Sequence, residues 1–255
     1  MKRIRKESRW LGGFWKQELR ILGKTATIVS PNRARPGRPW VWKGEFLDAF
    51  PSVEVALLHK GFHIVHVAVP DQFGSPTALR VWDALYVRLT KEYGFAQRAA
   101  LIGLSRGGLY VYAWAAAHPD RVTCIYGDAP VCDLASWPGG KGRGSGSPED
   151  WRKLLAVFGF VSDAEALAAQ ISPVDRLAPL AAADLPLLHV YGETDDVVPW
   201  EENTGRLSEK YRALGGSIQW IAKPGCGHHP HGLEDPTPIV EFICRHTPPL
   251  SAKRL

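Results

Sequence analysis

The sequence predicts an α/β protein in which a mostly parallel central sheet is flanked by helices on both faces. Between residues 40 and 126, apolar runs of strand length alternate with longer runs of helical period. Such alternation is typical of parallel strands joined by crossover helices. Residues 62–69 are apolar almost throughout, as expected of a strand that is buried on both faces of a sheet.

The individual elements follow from local patterns, beginning with a hairpin. Residues 15–22 and 25–30 alternate on either side of Gly23-Lys24, which predicts two antiparallel strands joined by a tight turn. Further strands are predicted at 40–43, 62–69, 99–104, 122–126, 185–191 and 218–222, and helices at 53–60, 77–93 and 109–117. Gly61 and Gly94 follow the first two helices, where a glycine commonly ends a helix.

A pentapeptide, Gly103-Leu104-Ser105-Arg106-Gly107, lies between a predicted strand and a predicted helix. In this context the G-x-S-x-G pattern forms a tight turn that exposes the serine at the carboxyl end of the strand. The flanking glycines leave the room that the turn requires because they carry no Cβ atom. The pattern therefore predicts Ser105 as a nucleophile, which needs a base and an orienting acid.

Candidates for the acid and the base follow downstream in the order aspartate, histidine. The sequence GETDDVVP follows the predicted strand at 185–191, and KPGCGH follows the strand at 218–222. Either Asp195 or Asp196 supplies the acid, and His228 is the expected base. The chain order of serine, aspartate and histidine is that of a known class of hydrolases.

The elbow, the acid loop and the histidine loop together resemble the α/β-hydrolase fold in its esterase and peptidase-like branch, over residues 25–255. The resemblance implies a serine hydrolase and places the acid at Asp195, three residues after the glycine. Some members of the fold family carry the acid after the strand that follows the elbow helix, which makes Asp128 the alternative. The S-R-G-G elbow is also partly similar to that of glucuronoyl esterases, in which the arginine lies near the oxyanion.

Two further stretches, 127–133 and 228–238, resemble a group of bacterial α/β-hydrolases. This resemblance implies a carboxylic-ester hydrolase that acts on a small or carbohydrate-linked ester through an acyl-enzyme, without a cofactor or a metal. We expect one oxyanion donor from the backbone N–H of Arg106 and a second from Glu45 or Phe46, in the loop after the third strand.

Three aromatic side chains are candidates for contact with the substrate. Trp82 and Trp137 could offer flat platforms for a sugar or an aromatic ring, and His229 could line the mouth of the site. Packing inside the protein is the alternative for each. Trp10, Trp15, Trp114 and Trp220 lie in periodic segments, and we expect them in the core.

The segment after the elbow helix and the next strand interrupts the alternation. Residues 133–180 contain a Gly-Lys-Arg tract and two alanine-rich runs, near 150–158 and 163–170, that predict helices. Insertions at this place form lids in the fold family, so we expect a lid within a single domain of residues 1–255. The tract is either a solvated loop or a cationic flap that closes on the substrate.

Two other functional classes are compatible with the sequence. One is a ligand-binding protein of the same fold that turns over slowly or not at all. The other is a peptidase of the prolyl type, which the chain length disfavours because such enzymes usually add a large further domain. A zinc site at His228, His229 and His231 is not expected, because no carboxylate lies near them at ligand spacing.

Composition limits the partners and the location. Residues 1–10 hold five Lys or Arg and one Glu, which accounts for +4 of the net charge of +5. This argues against a broad nucleic-acid surface and predicts a frayed basic terminus. No apolar run approaches the roughly 18 residues of a membrane span, and residues 11–16 lack the apolar core of a signal peptide. We expect a cytoplasmic protein or a trimmed exported form, with four free cysteines or one Cys124–Cys132 bridge.

Overall fold

The computed structural model describes residues 6–248, so most of the basic N-terminal tract lies outside the described residues. The strands are β1 Lys6–Arg9, β2 Trp15–Ile21, β3 Lys24–Ser30, β4 Trp40–Lys43, β5 His63–Val67, β6 Ala99–Leu104, β7 Val122–Asp128, β8 Leu187–Gly192 and β9 Ile218–Lys223. They form one sheet in the order β1-β2-β3-β5-β4-β6-β7-β8-β9. The first three strands are antiparallel to their neighbours, and β5, β4 and β6 to β9 run parallel. The predicted fold class is confirmed.

Helices cover both faces of this sheet. They are α1 Ser52–His59, α2 Pro76–Glu92, α3 Gly107–Ala117, α4 Pro148–Phe158, α5 Asp163–Ala168, α6 Ala178–Ala182, α7 Arg206–Ala213 and α8 Thr237–His246. Two clusters of buried side chains result, one that includes residues of α2 and α3 and one that includes residues of α1 and α8. None of the helices in residues 6–248 combines the length and the apolar character that a membrane crossing requires.

Indole rings fill the centre of the first cluster. Trp82 is fully buried and stacks on Trp42, with ring centroids 4.1 Å apart and planes inclined by 12°. Trp114 packs against both rings. The helix α2 therefore presents Trp82 to the sheet, since its apolar face is the face that burial stabilises. By contrast, Trp15 and Trp220 are 51% and 40% exposed, so their expected place in the core is wrong.

The start of the segment of residues 133–180 is held by a buried polar side chain from the chain beyond β8. The Asn203 side-chain oxygen accepts hydrogen bonds from the N–H groups of Cys132 and Asp133, at 2.8 and 3.1 Å. Asn203 belongs to a π-helical turn, Glu201–Gly205, that leads directly into α7. The division of the chain into a single domain with a lid stays a prediction. All four cysteines are free thiols.

Candidate active site

Ser105 occupies the turn between β6 and α3 with a backbone φ of +48°. Residues with side chains rarely adopt this left-handed region, and its presence marks a constrained turn. A Cβ atom on Gly103 would lie 2.9 Å from the Cα of Gly108, so the close approach of strand and helix requires glycine. The Ser105 N–H donates to the Asp128 carbonyl oxygen at 2.9 Å, which ties the turn to β7.

The three residues expected to form a triad are brought together. His228 Nε2 lies 3.0 Å from Ser105 Oγ, and His228 Nδ1 lies 2.7 Å from Asp195 Oδ2. The second carboxylate oxygen of Asp195 accepts from the N–H groups of Val197 and Val198 at 3.0 and 2.8 Å. Because both oxygens are engaged, the buried carboxylate has a fixed orientation towards the imidazole.

Asp128, the alternative acid, binds a different histidine. Its Oδ1 lies 2.7 Å from His231 Nδ1, and its Oδ2 accepts from the Gly232 N–H at 2.7 Å and from the Tyr126 hydroxyl. Asp128 is thereby committed to the loop that follows His228, and it makes no hydrogen bond to His228 itself. The geometry favours Asp195 over Asp128 as the acid.

The loop after β4 lies against the amino end of α3, where an oxyanion would sit. A Cβ atom on Gly44 would lie 2.8 Å from the Gly107 carbonyl oxygen, and one on Gly107 would lie 3.4 Å from the Glu45 nitrogen. Within residues 6–248, the N–H groups of Glu45, Phe46 and Arg106 make no hydrogen bond. Free donors beside a nucleophile are what a developing oxyanion needs. These positions agree with the expected donors, whose role stays a prediction.

The Arg106 side chain contacts three parts of the structure: the loop of Glu45 and Phe46, the loop of Asp71, and α4. Its Nε donates to Glu45 at 2.6 Å, and its Nη1 lies 3.1 Å from Asp71 and 3.6 Å from Asp150 in α4. Burial raises the pKa of Glu45 to about 6, although the charge of Arg106 opposes that shift. The guanidinium also lies over the Phe46 ring, 5.4 Å from its centroid. Sequence reasoning missed these partners because they come from separate loops and a helix.

The candidate substrate contacts are only partly placed at the site. Trp82 lies in the core, and Trp137 is 8% exposed and packs near Phe73. Neither indole offers an open face, which corrects the expectation of Trp platforms. His229 is exposed, and it stacks on Phe50, whose ring centroid is 5.7 Å away. Partial burial and the neighbouring His231 lower the pKa of His229.

Three imidazoles next to the nucleophile form a group that could hold a metal ion. One ring nitrogen from each of His228, His229 and His231 lies within 4.8 Å of the other two. The position of Phe50 and the pairing of His231 with Asp128 were not anticipated from the sequence. The aromatic character of Phe50 and the HHPH sequence were the available signals, but nothing local indicates that these residues meet.

Comparison with known proteins gives a family and a fold. The sequence profile of the prolyl oligopeptidase family matches residues 80–246, more than half of the chain. Among proteins of curated function, none matches the sequence significantly.

Solved structures of much longer chains are similar in fold. A puromycin-hydrolyzing peptidase of Mycobacterium tuberculosis matches 89% of this chain at 16% identity, with a TM-score of 0.66. The dipeptidyl peptidase 4 of Porphyromonas gingivalis matches 95% at 15% identity, and the acylaminoacyl peptidase of Pyrococcus horikoshii matches 92% at 14%, both with a TM-score of 0.66. The matched regions are 38%, 35% and 40% of those chains.

Proposed function

The chain belongs to the prolyl oligopeptidase family, and from this premise we propose that it cleaves the amide bond of a short peptide or an aminoacyl amide. The family makes it a serine hydrolase of the α/β-hydrolase fold. The proposed reaction is transfer of the acyl group to Ser105, followed by hydrolysis of the acyl-enzyme.

One observation carries the proposal, the continuous line of hydrogen bonds from Ser105 through His228 to Asp195. A serine hydroxyl is a poor nucleophile at neutral pH unless a base removes its proton during attack. His228 Nε2 is within reach of that proton. The Asp195 carboxylate holds Nδ1 protonated, and it stabilises the imidazolium that forms.

The steps follow from the positions of these groups. Ser105 Oγ attacks the carbonyl carbon while its proton passes to His228, and the carbonyl oxygen becomes an oxyanion beside the free N–H groups of Arg106 and the loop of Glu45 and Phe46. His228 then gives the proton to the leaving nitrogen, which departs as an amine. A water molecule then attacks the acyl-enzyme through the same steps, and the carboxylic acid product leaves Ser105.

The choice of an amide over an ester rests on the family and its relatives. The similar structures include peptidases named for puromycin hydrolysis, dipeptidyl peptidase activity and acylaminoacyl peptidase activity, which favours the peptidase alternative over the ester hydrolase expected from the sequence. The partial similarity to glucuronoyl esterases stays a prediction. Ester hydrolysis is the second candidate, because the same triad attacks an ester more easily.

The first test is intact mass after incubation with a fluorophosphonate, with Ser105→Ala as the control. We expect one adduct on the wild-type protein and none on the variant. Folded wild-type protein without an adduct would contradict an activated serine, and it would favour the ligand-binding alternative.

The second test separates amide from ester. Matched substrates with one dipeptidyl acyl group and either an anilide or an alkyl ester leaving group are compared by kcat/KM. An amide hydrolase must protonate its leaving nitrogen, so measurable anilide turnover that Ser105→Ala abolishes supports the peptidase. Turnover of the ester alone, also lost in the variant, would replace the peptidase with an ester hydrolase.

A further inference from the structure

We propose that His228, His229 and His231 bind a divalent transition-metal ion such as Zn²⁺, and that the bound ion inhibits the hydrolase. The three rings are mutually edge-on. Their centroids are 4.9 to 5.0 Å apart and their planes are inclined by 68° to 87°. The binding stands on this cluster alone, whereas the inhibition rests on the function proposed above.

Two of the three imidazoles already have the supporting contacts that a metal site requires. The Nδ1 atoms of His228 and His231 are each 2.7 Å from a buried carboxylate, Asp195 and Asp128 respectively. Metal-binding histidines commonly use one nitrogen for the metal and the other for a carboxylate, which fixes the ring and its tautomer. Nε2 is therefore the nitrogen of each ring that is not held by a carboxylate, and in His228 an ion would take the place of the contact with Ser105 Oγ.

The sequence shows no carboxylate near these histidines at ligand spacing, but the fold brings two carboxylates to them. Asp128 and Asp195 lie 103 and 33 residues from their histidines, so no spacing rule would detect them. Asp128 ends β7 and Asp195 follows β8. The two strands are neighbours, and their carboxyl ends lie beside the histidine loop. The sheet thus supplies the supporting carboxylates, and the loop supplies the ligands.

The geometry is close to that of a three-histidine site. With Zn–N bonds of 2.0–2.1 Å in a tetrahedral arrangement, the ligand nitrogens lie about 3.4 Å apart. One ring nitrogen from each of the three histidines already lies within 4.8 Å of the other two, so only small side-chain movements are needed to reach this spacing. His229 is exposed, so its ring can rotate towards the other two.

The donor set selects the class of ion. Three imidazole ligands favour Zn²⁺, Cu²⁺ or Ni²⁺ over Mg²⁺ and Ca²⁺, which prefer oxygen ligands. The Phe50 ring closes one side, stacked on His229 and edge-on to His231 at 5.2 Å.

Inhibition follows because the metal ion and the Ser105 proton would use the same nitrogen, His228 Nε2. His228 Nε2 is the atom that lies 3.0 Å from Ser105 Oγ and takes its proton. A metal bound there removes the lone pair that accepts the proton, so Ser105 loses its base. A chelator that removes the ion restores the base.

The binding test uses the Ser105→Ala protein, which cannot turn over substrate but keeps all three histidines. After treatment with a chelator, Zn²⁺ is titrated by isothermal calorimetry, and Co²⁺ is titrated by its visible absorption. We expect one ion per chain, and we expect His229→Asn in the same background to weaken binding at least tenfold. His59→Asn is the matched control, because His59 is also exposed and also packs on a phenylalanine, Phe14, at 5.0 Å.

The outcomes separate this proposal from the proposed function. Absence of one-to-one binding, or equal affinities of the His229→Asn and His59→Asn variants, would overturn the metal site. On wild-type protein, Zn²⁺ should inhibit hydrolysis with the constant measured for binding, and a chelator should reverse the inhibition. Binding that leaves turnover unchanged overturns the inhibitory role. A protein that binds Zn²⁺ but hydrolyses neither substrate loses the proposed function and keeps the site.

Discussion

Asp195 and Asp196 are adjacent in the sequence, but only Asp195 touches the candidate base. Its side chain is buried and held by two backbone N–H groups as well as by His228. Asp196 is exposed. At the scale of single residues, the site therefore depends on which of two identical side chains the turn points inward.

We expect Asp195→Asn to lower kcat by about 10³- to 10⁴-fold with little change in KM, because an amide favours the wrong imidazole tautomer. Asp196→Asn is the matched control and should leave kcat unchanged. Steady-state kinetics on the better substrate of the matched pair measures both. Equal losses in the two variants, or a larger loss in Asp128→Asn, would assign the acid elsewhere.

Glu45 is a buried carboxyl group at the site whose pKa is displaced towards neutral pH. Burial raises its pKa from the usual 4.5 to about 6. Between pH 4.5 and 6, the native protein therefore holds a proton on Glu45 that the unfolded chain has released. The contribution to stability is fully present below pH 4.5, and it is lost as the pH rises through 6.

We expect Glu45→Gln to remove this dependence. The free energy of unfolding of the variant, minus that of the wild type, should rise by at most about 2 kcal/mol between pH 4.5 and 6.5. Denaturant titrations at several pH values measure the difference, from which the other titrating groups cancel. A difference that is constant with pH would mean that Glu45 keeps its ordinary pKa despite its burial.

At the scale of elements, the loop that carries the candidate oxyanion donors is held by a buried lysine at the end of β4. Lys43 ends β4, and its Nζ donates to the Ala49 carbonyl oxygen at 2.8 Å and lies 2.9 Å from Glu54 Oε1 in α1. Both charged side chains are fully buried. From the site side, Glu45 of the same loop is bonded to Arg106. The loop is thus fixed at both ends of its span.

We expect Lys43→Met to lower the free energy of unfolding by about 3–5 kcal/mol, since it leaves the Glu54 charge buried without a partner. The double variant Lys43→Met with Glu54→Gln should recover part of that stability. It should still show a reduced kcat, because the bond to Ala49 is lost. Denaturant unfolding and kinetics of both variants measure this. A double variant with full kcat would show that Lys43 does not position the loop.

The elements that local pattern predicts well are those whose signals are local. The bounds of β4 and β6 agree with the prediction, and the hairpin of β2 and β3 is confirmed. The elbow could be predicted because strand, glycines and helix are contiguous in the chain. Trp220 was misplaced because β9 lies at the edge of the sheet, where one side is open and an indole can stay exposed under the Arg212 guanidinium, 4.0 Å from its centroid.

Contacts between distant segments could not be predicted in the same way. Arg106 and Glu45 are 61 residues apart, and Asp128 and His231 are 103 residues apart. Their meeting depends on strand order, which places β4 and β7 on either side of β6. The sequence indicates which chemistry is available at each loop, whereas the sheet decides which loops face each other.

At the scale of the whole molecule, buried histidines set the response to acid. His189 is fully buried between the Tyr112 hydroxyl, at 2.6 Å, and the Thr204 hydroxyl, at 2.9 Å. Burial lowers the pKa of His189 to about 3 and that of His63 to about 4, from a usual 6.5. The native protein keeps both rings neutral while the unfolded chain takes up protons. Their contribution to stability is therefore present above pH 6.5, and it is lost as the pH falls through 4 and then 3.

We expect the free energy of unfolding to fall below pH 6.5 with a slope of about 2.7 kcal/mol per pH unit from the two histidines together. Between pH 6 and 4.5 the native protein takes up a proton on Glu45, which offsets about half of this slope. Below pH 4.5 this offset ends, so the free energy of unfolding falls more steeply again. His63→Gln should remove about 1.4 kcal/mol per pH unit from this slope without touching the candidate site, and His59→Gln is the exposed control. Denaturant unfolding from pH 7 to 4 measures the three curves. Equal slopes in the wild type and in His63→Gln would mean that burial does not keep the His63 imidazole neutral in the native protein.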